Sequence, residues 1–234
     1  MTAPDHPAHL PYGTPDVPHI AVRGEAHLEV DPEIARIHIT VTARGRDRRT
    51  ILDDLARRNT TALDLIKTYG DAVEHIETSA LTLTPELTAR GRGEHIRTYH
   101  GNVHITAELT DFTTLGELTT RLADLELTHV TGPWWSLRPN SPTHRTARQR
   151  AVQEAVQRAR EYAQALGTTL TALTELADIG TEITPPARPA ARMRAMSATA
   201  PTDDTTPAPL DLEPQRQHVH AAINARFTMA PPIL

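Results

Sequence analysis

The 234 residues suffice for one large domain or two small ones, and a hydrophobic content of 38% is lean for that length. A net charge of −5, from 29 acidic against 24 basic side chains, argues against nucleic acid or an anionic lipid surface as partner. The absence of cysteine excludes disulfides, thiol catalysis and thiolate metal sites.

Residues 1–18 are rich in proline and small polar side chains and read as a flexible tail. They show no basic n-region followed by an apolar run. No segment reaches the roughly 18 apolar residues of a membrane span, so a cytoplasmic location is expected. From Ile20 the chain alternates, with Ile20, Val22, Gly24, Ala26, Leu28 and Val30 on one face and Arg23, Glu25, His27 and Glu29 on the other. After "DPE", Ile37, Ile39 and Val41 oppose His38, Thr40 and Thr42. The two runs predict an antiparallel hairpin with one buried face.

Residues 50–69 change to helical spacing, with Ile51, Leu52, Leu55, Leu63 and Ile66 as the apolar stripe and Gly70 as the stop. Strand-like runs come next at 76–87 and 96–109; in the second, Tyr99, Val103, Ile105, Ala107 and Leu109 oppose His100, Asn102, His104, Thr106 and Glu108. Between them, "ARGRGEH" at 89–95 reads as a polar hairpin loop and not a phosphate cradle. Asp111 is placed to cap a helix carrying Phe112, Leu115, Leu118 and Leu122. A short strand then holds both tryptophans, Trp134 and Trp135. The longest helix runs from about Ser141 to Leu166 with a stripe dominated by alanine, which lets it lie close against a sheet.

A strand at 170–179 leads into a proline- and alanine-rich stretch, 184–212, expected to be disordered. A final strand lies within 213–229, where Val219, Ala221, Ile223, Ala225 and Phe227 oppose His218, His220, Asn224 and Arg226. The order ββ-α-ββ-α-β-α-β-β predicts an α+β fold. It would have one mixed, largely antiparallel β-sheet, helices covering one face, and residues 19–183 and the last strand in a single domain.

Several phrases together resemble the SIMPL domain family, a bacterial family without assigned function. "IAVRGEAHLEVDPEIARIHITV" is similar to its opening hairpin, and "HIETSALTLTP" to a later strand, with Ile76, Thr78, Leu83 and Pro85 in place. "YHGNVHITAELTDFTTLGEL" matches a tyrosine strand running into a D-L-x-x-L-G helix start, here Tyr99, Asp111, Phe112, Leu115 and Gly116. "VTGPWWSL" and the helix ending in "AQALG" complete the order, with Ala26 where a second glycine is common and Pro133 where an aliphatic is usual. The resemblance spans most of the chain and implies no catalytic residues. It implies links to stress tolerance and signalling, and homo-oligomers in some members.

No Gly-rich phosphate loop, nucleophile elbow or H-E-x-x-H helix occurs. The adjacent pairs Asp53–Asp54 and Asp203–Asp204 diverge in space and are poor acid–base candidates. Histidine is the unusual residue, at 13 copies. His38, His100, His104, His218 and His220 all fall on polar strand faces, as does His27. Neutral imidazole ligates zinc, nickel or copper, so a metal or small-ligand site where His100, His104 and His218 converge is the alternative reading. The leading expectation is a non-catalytic protein with no cofactor, which self-associates or binds a protein partner and has a stress-related role. Adjacent strand residues face opposite ways, so Trp135 is expected to be a core anchor, as is Tyr99, and Trp134 an interface residue.

Overall fold

The computed structural model describes residues 13–88, 95–183 and 210–233. In chain order these form β1 (His19–Val30), β2 (Ile34–Gly45), α1 (Arg48–Lys67), β3 (Val73–Thr88), β4 (His95–Leu109) and α2 (Phe112–Ala123). The remaining elements are β5 (Thr128–Ser136), α3 (Pro142–Ala165), β6 (Leu170–Ile183) and β7 (Gln217–Met229). The class is α+β, as expected, with strands predominantly antiparallel. They are divided between two sheets, of orders β1-β7-β6 and β3-β4-β2-β5, where the sequence predicts one. Two compact units result: one from residues 13–30, 139–183 and 218–233, the other from 31–88, 95–138 and 210–217.

The first unit is built on α3. Ser141 caps it by accepting from the Thr143 amide, Pro142 opens it, and Gly167 beyond its end has φ +67°. Its buried residues are Ala147, Ala151, Ala155, Ala159 and Ala163, spaced by four so that they form one ridge. Gly24 of β1 meets this ridge so closely that a Cβ there would lie 2.1 Å from the Ala151 carbonyl oxygen. Val22, Ala26 and Leu28 are buried beside it, and the other face of β1 carries Arg23, Glu25, His27 and Glu29. β7 buries Val219, Ala221, Ile223, Ala225 and Phe227.

The second unit packs α1 and α2 on one face of its sheet. Its core joins Ala35, Ile37, Ile39 and Val41 of β2 with Val103, Ile105, Ala107 and Leu109 of β4. From the helices it takes Ile51, Leu55, Ala62 and Ile66 (α1) and Leu115, Leu118 and Leu122 (α2). Asp47 and Asp111 cap these helices. α1 ends at Lys67, before Gly70, which lies in a single 3-10 turn. β2 runs antiparallel to both neighbours, pairing Ile39 with Ile105 on β4 and with Val130 on β5.

The predicted hairpin of the first two strands does not form: β1 pairs with β7, and β2 with β4 and β5. Alternation records which side chains are buried, and β1 and β2 both obey it. It carries no record of which strand lies alongside. The connecting residues already commit to β5, since the Glu33 amide donates to the Ser136 carbonyl at 2.9 Å. The loop reading of "ARGRGEH" falls on residues 89–94, outside the described residues, as do 1–12 of the tail and 184–209 of the expected excursion. Residues 210–212, assigned to that excursion, instead pass the second unit: the Leu210 amide donates to Thr120 Oγ1 at 3.3 Å and Leu212 packs against the core.

Candidate functional site

The polar face of the four-stranded sheet carries Arg36, His38, Thr40, Thr42 and Arg44 on β2. Opposite them on β4 are Glu108, Thr106, His104, Asn102 and His100. The predicted histidines are engaged one by one. His104 Nδ1 lies 3.0 Å from Thr40 Oγ1, and His100 Nε2 lies 3.0 Å from Glu86 Oε2. The ring of His38 packs against Trp134, centroids 4.4 Å apart. His129 of β5 stands opposite Thr40 in register, so Thr40 has His104 on one side and His129 on the other. Its alternation with Val130 was the available signal.

The two tryptophans are placed by a bulge. Trp134 pairs with Arg36 and Thr131 with His38, so the intervening Ile37 faces both Gly132 and Pro133. Gly132 has φ +115°, and a Cβ there would lie 2.9 Å from the Arg36 carbonyl oxygen. The extra residue reverses the facing of the rest of β5, bringing Trp134 to the polar side with His129 and Thr131. Trp135, half-buried, packs against the core and meets Phe112 edge-on at 4.9 Å. Tyr99 is also half-buried against this core.

Glu86 is the busiest acid of this face. It accepts from Thr98 Oγ1 at 2.6 Å, from His100, and from Arg44 Nη2 at 3.0 Å; the first two, then Arg44, hold its pKa down to about 2. A folded-state pKa below the unfolded value adds stability above the ordinary carboxylate range, and that stability is lost as the carboxylate protonates. The parent protein should therefore lose stability as pH falls from about 4.5 towards about 2. Glu86→Gln should flatten the melting temperature in that window while leaving the rest of the acid profile in place.

The first unit holds a separate set. His27 of β1 and His220 of β7 stack with ring centroids 4.5 Å apart and an interplanar angle of 26°. Glu25, two residues before His27 on the same face, brings a carboxylate to them, and one donor atom from each residue lies within 4.8 Å of the others. Arg23 Nε holds Glu25 Oε1 at 2.6 Å. His218 is exposed on β7. Thus His218 and His220 belong to a different sheet from His38, His100 and His104. Alternation predicts a last strand that rejoins a single sheet, whereas β7 pairs with β1 and β6. Sequence reasoning places His27 on a polar face and leaves Glu25 out as a ligand, although E-x-H on an alternating strand puts both on one side.

The family model of SIMPL, described as a protein of unknown function (DUF541), matches residues 20–227. The chain belongs to the SIMPL family. The match runs from the first residues of β1 into the last residues of β7, so both sheets lie within it. No curated protein matches this SIMPL chain. Among the described residues no helix is long and apolar enough to cross a membrane.

Proposed function

We propose that this SIMPL protein is a non-catalytic binding protein that associates with further copies of itself, in a stress-related role. The observation that carries the proposal is β6. It is the last strand of its sheet, and along it Leu173, Leu176 and Ile179 are 53%, 51% and 45% exposed. Three large aliphatic side chains held in water within seven residues of an edge strand favour a covering partner. A cleft of about 560 Å³ adjoins the first of them, lined by Val156, Ala163, Leu170, Leu173 and Phe227. Glu175 beside them is already matched, since Arg226 Nη1 lies 3.1 Å from its Oε2.

The β6–β7 ladder shifts register three times, after Leu170, Leu173 and Asp178. Bulges of this kind break up the row of free backbone groups. Association through β6 therefore rests on the apolar side chains and the cleft more than on a continuous added strand. Trp134, the expected interface residue, supplies a second contact on the polar face of the other sheet.

Sedimentation velocity over a concentration series tests this. The parent chain should sediment as an oligomer, and Leu173→Glu with Leu176→Glu should shift it towards monomer with an unchanged far-ultraviolet spectrum. A parent that stays monomeric at high concentration and recovers no partner in pull-downs would sink the proposal.

A further inference from the structure

From the geometry of Glu25, His27 and His220 we infer a binding site for a divalent first-row transition cation, of the zinc class. It is separate from the β6 surface and from the histidines of the four-stranded sheet. Two adjacent strands supply the two imidazoles, and β1 supplies the carboxylate from the same face two residues earlier. Two nitrogens and one carboxylate oxygen form a donor set that suits zinc, nickel or copper and suits calcium or magnesium poorly, since those take oxygen ligands. Three protein ligands leave further positions to water.

The distances permit closure. Ligands about 2.1 Å from a tetrahedral zinc stand about 3.4 Å from one another. The three donors already lie within 4.8 Å, and His27 and Glu25 are free enough of packing to close the remainder by side-chain rotation. Strand pairing fixes the Cα positions beneath them, so only the side-chain torsions have to be ordered on binding. Arg23 occupies Glu25 Oε1, while Oε2 is the oxygen turned to His27, at 4.0 Å from Nε2. The Arg23 charge opposes a cation at this site and confines the carboxylate to single-oxygen ligation. The two rings come from neighbouring strands and are close, at 4.5 Å between centroids, but their planes are only 26° apart, so they must splay for both in-plane lone pairs to meet one ion. On the other sheet His104 and His100 are turned instead to a hydroxyl and a carboxylate already bonded elsewhere.

Equilibrium dialysis of the full chain against zinc chloride, with elemental analysis, gives the stoichiometry; isothermal titration with zinc and with nickel gives the affinities. The parent should bind one zinc tightly enough to raise its melting temperature. His27→Ala and His220→Ala should each weaken that binding at least about tenfold. The double variant His100→Ala/His104→Ala should bind as the parent does. In the unsubstituted chain, zinc should move the imidazole resonances of His27 and His220 first, a readout that no variant's folding can confuse. Uptake retained by His27→Ala and His220→Ala, uptake lost instead in the His100/His104 variant, or a parent that takes up no zinc, would each overturn the site.

Discussion

Gly24→Ala is expected to destabilise the first unit by about 3 kcal/mol, the upper part of the range for overpacked interiors. The added Cβ would stand 2.1 Å from the Ala151 carbonyl oxygen and 2.7 Å from both the amide nitrogen and the Cβ of Ala155. Two of those three atoms are helix backbone, which cannot swing aside as a long side chain would. Relief requires β1 and α3 to separate, and separation opens gaps along the whole ridge of alanines, none of which can extend to fill them. Gly70→Ala makes the contrast. Gly70, unlike Gly24, has a positive φ, +49°, but nothing lies within 4 Å of its would-be Cβ. Its cost is therefore the left-handed backbone penalty alone, about 1 kcal/mol. Thermal or urea unfolding of the two variants measures the difference; equal losses would show that β1 and α3 do not meet as described.

Trp135→Ala is expected to cost about 3 kcal/mol, the low end for removal of a large aromatic because the side chain is half-buried. The loss combines apolar area withdrawn from the core with the edge-on contact to Phe112 at the start of α2, so the α2 end of the second unit should loosen first. Trp134→Ala should behave differently. The residue is 37% exposed and its ring rests on His38, so truncation removes surface contact without opening a core cavity. Stability should change little, while self-association, read by sedimentation, should weaken. Equal stability losses in the two variants would refute the division between them.

Much of the fold is legible in the sequence. The caps Asp111 and Ser141 sit where the residue types require, because their oxygens bond amides two residues ahead and depend on no distant partner. The buried faces of β1, β2, β4 and β7 follow from alternation, since a strand with one dry side must repeat every second residue. The opposite facing of Trp134 and Trp135 is likewise open to sequence reasoning, but the bulge that brings Trp134 to the side of His129 is not. That depends on Ile37 opposing two residues of β5, a fact about pairing.

The histidines show the same boundary. Their polar-face positions are fixed by local periodicity, yet their grouping depends on which strands lie alongside one another. Sequence alone determined the family, the element order, the caps Asp111 and Ser141 and the buried sides of β1, β2, β4 and β7, because each of these is set by neighbours within a few residues; α1, read as 50–69, instead starts at Arg48 behind Asp47 and ends at Lys67. Tertiary structure alone decided that there are two sheets and that β7 pairs with β1 and β6. It thereby brought His220 against His27 and Glu25, because strand pairing over nearly 200 residues of chain is settled by packing that no local pattern records.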